Sequence, residues 1–99
     1  MSEDSVKADP KHYKVEFENE RVRVLRVHYG AGEKSVMHGH PDLVAVFLTD
    51  HDVKFSYRGH KAEEAHAKAG QVHWFPAVEH LPENLDNKPL ELILIELKR

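Results

Sequence analysis

The strongest constraint on the fold is the spacing of apolar side chains. They recur every second residue in short runs, and each run ends in turn-forming residues. A repeat of two is that of an extended strand, whose side chains alternate between faces; an amphipathic helix needs spacings of three and four. HYKVEF sets Tyr13, Val15 and Phe17 on one face, and the ENE after it reads as a turn. RVRVLRVHY carries Val22 and Val24, then Leu25, Val27 and Tyr29, and the change of phase at Val24–Leu25 predicts a β-bulge. VMHGH is short and extended. LVAVFLT is nearly continuous, as a strand covered on both faces would be, and VKFSY alternates Val53, Phe55 and Tyr57. AEEAHAK has helix-forming residues but is short and uncapped, and it reads as a strand. VHWF stops at Pro76, and LELILIEL follows as the last strand. Eight or nine short strands at a spacing of about 8–12 residues predict an all-β sandwich or barrel. An immunoglobulin-like sandwich fits the count too, but leaves the histidines unexplained.

Ninety-nine residues suit one domain, and a chain of this size buries only about 60–65% of the surface it exposes when unfolded. Residues 1–11 are polar and expected to be a flexible segment, with the barrel domain at 12–99. The net charge of −3 argues against nucleic acid as a partner, since Arg21, Arg23 and Arg26 are too sparse for a phosphate-binding patch. With no cysteine, there is no disulfide framework, and any metal must be held by His, Asp or Glu. The start of the chain lacks an apolar signal region, and no apolar run nears the ~18 residues of a membrane span. A soluble cytoplasmic protein without a membrane partner is the expectation.

Histidine is the outlier, at nine residues: 12, 28, 38, 40, 51, 60, 66, 73 and 80. Most read as solvated, His51, His60 and His66 among them, because they lie in or near polar turns. His38 and His40 differ. On a strand, residues two apart share a face, about 6–7 Å apart at the backbone, so the two imidazoles project together. Two ligands hold a metal poorly. The best third is His80 in FPAVEHLPEN, where Pro76 and AVE turn the chain ahead of it. Three histidines leave coordination positions open for water or substrate, as catalytic sites do.

These residues resemble the two motifs of the cupin family. The first family motif is Gly-x5-His-x-His-x3–4-Glu-x6-Gly, and this chain has Gly32, EKSVM, then His38-Gly39-His40. The second is Gly-x5-Pro-x-Gly-x2-His-x3-Asn, and this chain has Gly70, QVHWF, Pro76, His80, LPE and Asn84. The resemblance implies a single-domain jelly-roll, the double-stranded β-helix barrel. It implies one divalent transition metal (Fe, Mn, Ni, Cu or Zn) on His38, His40 and His80. ENLDNKPLELILIELK also resembles small cupins linked with β-alanine degradation. The departures are specific. The family glutamate falls on Val44, or on Ala45 with the longer spacing, and neither binds metal; the closing glycine falls on His51; and Pro76 to His80 is one residue short.

Asp42 and His73 are the further pocket or ligand candidates, with Glu79 and Glu83 behind them. Cupins that oxidise thiols also lack the glutamate, and use iron and dioxygen. The implied function is a metal-dependent enzyme, of oxygenase or isomerase/lyase type, on a small polar metabolite inside the barrel. The alternatives are a non-catalytic module that binds a small molecule or metal, and an interaction protein whose site has decayed. An enzyme needs an acid–base or orienting group near the metal, for which His73, Tyr57 and Arg58 are candidates. No Ser-His-Asp setting surrounds Ser2, Ser5, Ser35 or Ser56. Trp74 and Phe75 are expected to divide between core and barrel mouth, and Asn84 to hydrogen-bond locally. By the same resemblance the chain is expected to form a homodimer, with HYKVEF and LELILIEL as edge strands.

Overall fold

A computed structural model describes residues 3–98; Met1, Ser2 and Arg99 lie outside it, and with them the first two residues of the expected flexible segment. Nine strands follow one short helix: α1 Ser5–Ala8, β1 Tyr13–Glu18, β2 Val22–Tyr29, β3 His38–His40, β4 Leu43–Phe47, β5 His51–Ser56, β6 Glu63–Ala67, β7 Val72–Phe75, β8 Val78–Asn84 and β9 Leu90–Leu97. They form two antiparallel sheets, ordered β1-β2-β9-β4-β7 and β3-β8-β5-β6. This is the expected all-β jelly roll. Among the described residues, no helix is long and apolar enough to cross a membrane.

The alternating residues form the core between the sheets. Leu25, Val27, Leu43, Ala45, Phe47, Val53, Leu90 and Leu94 are buried there. The strand pair β2–β9 keeps one register over its whole length, from Val22 opposite Leu97 to Tyr29 opposite Leu90. The bulge lies across from the expected place. Val15 pairs with Leu25 and Phe17 with Val24, so the extra residue is Glu16 in β1, not a residue of β2. A one-residue insertion inverts the faces beyond it. Phe17 therefore leaves the face of Tyr13 and is exposed.

The bulge also completes an apolar row on the outer face of the larger sheet. Phe17, Val24, Ile95, Val44 and Trp74 are successive cross-strand partners over all five strands. Trp74 is 55% exposed on this face, so it is not at the barrel mouth, whereas Phe75 lines the interior. LELILIEL is not an edge: β9 lies between β2 and β4, and only β1 and β7 bound this sheet. The opening glycines of the two motifs have a backbone reason. Gly32 and Gly70 take φ of 70° and 89°, the left-handed region that side chains disfavour.

Residues 3–11, within the segment expected to be flexible, make specific contacts with the barrel. Asp4 caps α1 by accepting from the Val6 N–H, and Ser5 is fully buried. The Gly39 N–H donates to the Glu3 carbonyl at 2.8 Å, and Asp4 bridges Gly39 in parallel. The segment thereby covers an otherwise free edge of β3, satisfying backbone groups that would be left unpaired.

Candidate metal centre

His38 and His80 face each other across β3 and β8, and His40 lies two residues along from His38. The ring centroids are 4.8, 4.9 and 5.2 Å apart and the ring planes are mutually near-perpendicular. One ligand atom from each lies within 4.8 Å of the others. His38 is fully buried and His40 is 6% exposed.

All three Nε2 atoms are buried with no hydrogen-bond partner among the described residues. An unpaired buried polar atom is costly. Three of them so close together could share one partner, and a cation is a partner that fits lone pairs. For His38 and His40 the opposite ring nitrogen fixes the lone pair in place. His38 Nδ1 lies 2.8 Å from the Val36 carbonyl, which only accepts, so Nδ1 carries the proton and Nε2 the lone pair. His40 Nδ1 lies 2.7 Å from a Glu96 carboxylate oxygen, with the same result. Burial, reinforced by the neighbouring His40, lowers the His38 pKa to about 4. Burial with His40 and His38 lowers that of His80 to about 2. Both rings are neutral at pH 7, the form that binds metal.

Two buried carboxylates support the histidines from behind. Glu96 also accepts from Arg23 Nε at 2.9 Å, and Arg23 continues to Asp4. On the other side, the Ser35 hydroxyl donates to Asp9 at 2.6 Å and lies 3.1 Å from His38 Nδ1, while His12 Nδ1 meets the same Asp9 oxygen at 2.6 Å. Burial alone would raise the Asp9 pKa; the bonds from Ser35 and His12 outweigh it and lower it. Such outer carboxylates orient ligand histidines and raise their basicity. Sequence reasoning missed both. The signal for Glu96 was present, since it shares the inward face of β9 with Leu90, Leu92 and Leu94. Asp9 carries no comparable signal.

The remaining candidates separate. Val44 points outward, paired with Trp74. Ala45 is the inward residue, fully buried on the cavity wall, so the family glutamate position is filled by a methyl group. Asp42 accepts from the Ala77 N–H at 2.8 Å and lies outside the histidine group. His73 lines the cavity beside Ala45, its ring 5.1 Å from Phe47, and is also outside the group. Glu79 pairs with Arg58 on the surface, which removes Arg58 from the acid–base candidates, while Tyr57 does line the cavity. Asn84 bonds locally, donating to the Gly30 and Lys88 carbonyls. A second group, Asp52, Glu64 and His66, is mostly exposed, as acidic clusters without an ion commonly are.

His40 and His80 line a cavity of about 510 Å³ inside the barrel, a size suited to a small molecule. Phe55 stacks on His80 at 5.0 Å and forms the adjoining wall.

No protein-family model matches this sequence, and no curated protein matches it. Solved structures do match. A cupin domain from Bordetella pertussis Tohama I has a TM-score of 0.82 at 25% identity, over 88% of this chain and 92% of that one. A cupin-2 domain protein from Shewanella frigidimarina has a TM-score of 0.59 at 20% identity, over 89% and 81%. The DMSP lyase DddQ from Ruegeria pomeroyi has a TM-score of 0.62 at 14% identity, over 91% of this chain and 49% of that one. With its two antiparallel sheets closed around a histidine-lined cavity, this chain has the fold of a small cupin.

Proposed function

We propose that this protein is a metal-dependent cupin enzyme that acts on a small molecule inside the barrel. His38, His40 and His80 would hold one divalent transition ion through Nε2. The observation that carries the reading is the convergence of three buried, unpartnered nitrogens. Neutral imidazoles suit Fe, Ni, Cu and Zn. When bound, the ion supplies Lewis-acid or dioxygen chemistry at its open positions. The chain itself contributes three things. Glu96 and the Ser35–Asp9 pair hold the ligand rings in one tautomer. Ala45 leaves room beside them. Phe55, Phe47 and Leu43 exclude water from the space a substrate would take. The lyase activity of one structural neighbour supports lyase chemistry as one option within this fold.

A second reading is a non-catalytic binding module. Its support is the scarcity of charge on the cavity wall, where no Lys or Arg is found among the described residues and Glu83 is the one carboxylate. Lack of cysteine fits a reducing compartment such as the cytoplasm. The outer apolar row fits a homodimer that buries it.

Elemental mass spectrometry tests the metal site. Tag-free wild type and a His38→Ala/His80→Ala variant would be loaded in turn with Fe, Mn, Ni, Cu and Zn. The expected result is about one ion per wild-type chain and none in the variant. No ion in the wild type, or an equal content in both, overturns the reading.

A further inference from the structure

We propose that the cavity has a second polar recognition point, His51, and that its ligand is uncharged, largely apolar, and carries a hydrogen-bond donor at the end away from the three histidines. This names the ligand class for the cavity proposed above and rests on that reading only for the cavity's being the ligand site.

His51 opens β5, is 7% exposed, and lines the same cavity. Its Nδ1 lies 3.0 Å from the Thr49 carbonyl. A carbonyl only accepts, so Nδ1 carries the proton and Nε2 presents a lone pair. That Nε2 is buried and has no partner among the described residues. Burial lowers the ring's pKa below its ordinary value despite the bonds to Thr49 and Asp50, so the ring is neutral at pH 7 and Nε2 stays an acceptor. An acceptor withdrawn from water and left unpaired is satisfied by a donor arriving with a ligand.

His51 is far from the metal ligands. His51, Val53 and Phe55 face inward along β5, and Phe55 is the residue that stacks on His80. Four residues of strand, roughly 13 Å, separate Phe55 from His51. Val53, Ala45, Phe47 and Leu92 wall the space between, and the Phe47 ring meets the His51 ring at 4.7 Å, edge to face. No Lys or Arg lines the cavity among the described residues. A carboxylate or phosphate on the ligand body would thus be desolvated without a counter-ion, which is prohibitive. The near end meets His40 and His80, the wall between is mostly apolar, and the far end offers the His51 acceptor.

The test uses three probes on one skeleton: 4-propylphenol, 4-propylanisole and 4-propylbenzoate. Each is titrated into the full tag-free chain and followed by amide chemical shifts in wild type, His51→Phe, His51→Gln and His80→Ala. The expected result is phenol at least about fivefold tighter than anisole in wild type, with benzoate weakest. His51→Phe abolishes the phenol preference. His51→Gln, which still offers an acceptor, keeps part of it, and His80→Ala keeps all of it. Equal binding of phenol and anisole to wild type, tightest binding of benzoate, or no shift at Phe47 and Val53 with any probe overturns the proposal. If wild type binds no metal yet prefers the phenol, the metal reading falls and the His51 site stands.

Discussion

Glu96 is the residue on which the proposed metal site should most depend after the histidines themselves. It is buried, charged, and shared between His40 and Arg23. Glu96→Gln keeps the shape but removes the charge, so Arg23 keeps only Asp4 as a carboxylate partner and His40 Nδ1 loses a charged acceptor. The expected outcome is a stability loss of about 2–3 kcal/mol in denaturant titration and a metal affinity reduced about 10–100-fold. Glu91→Gln, on the outer face of the same strand, should leave metal affinity unchanged. His51 gives a second prediction at this scale. Its folded pKa lies below 6.5, so between that pKa and 6.5 the unfolded chain binds more protons than the folded one, and stability falls as pH drops through this window. His51→Gln removes one contribution, so metal-free variant protein should lose less of its thermal midpoint than wild type between pH 7 and pH 5.

At the scale of elements, the turn glycines and strand registers set where the histidines point. Nothing lies within 4 Å of a Cβ built on Gly70, so the cost of a side chain there is backbone strain alone. Gly70→Ala should destabilise by about 1–2 kcal/mol, lowering the thermal midpoint by some 4–16 °C, with no change in metal content. The strands were legible because alternation is a local property of the sequence. Gly32, Gly70, His38, His40 and His80 were legible because a motif keeps its spacing. The bulge was half legible: the phase change in β2 marks its level, but the strand that carries the extra residue depends on pairing, which one strand's sequence does not contain. The missing glutamate was legible as a loss, though only the register of β4 with β7 identifies Ala45, not Val44, as the inward position. Glu96 and Asp9 reach the site through long-range contacts from strand and segment far along the chain.

For the whole molecule, the outer face of the larger sheet is the surface the fold leaves unexplained. The row from Phe17 to Trp74 crosses all five strands, and such patches mark interaction surfaces. If a second copy covers it, light scattering will give a dimer mass for wild type and a monomer mass for Trp74→Glu, with metal content per chain retained. A wild-type monomer at all concentrations overturns the dimer. The apolar content of LELILIEL suggested an edge strand; in the assembled sheet it is central, and its outer residues belong to this broad face.

The segment ahead of the barrel bears on how this protein can be handled and regulated. Asp4 and Asp9 are members of the two chains of contacts that end on His40 and His38, and Glu3 pairs with the glycine between those histidines. Residues 3–9 are thus mechanically tied to the candidate metal centre, although they contribute none of its three histidines. A protease cut or a bulky fusion at this end would strip the support from two ligands at once, and occupancy of the centre would in turn protect this end from cleavage.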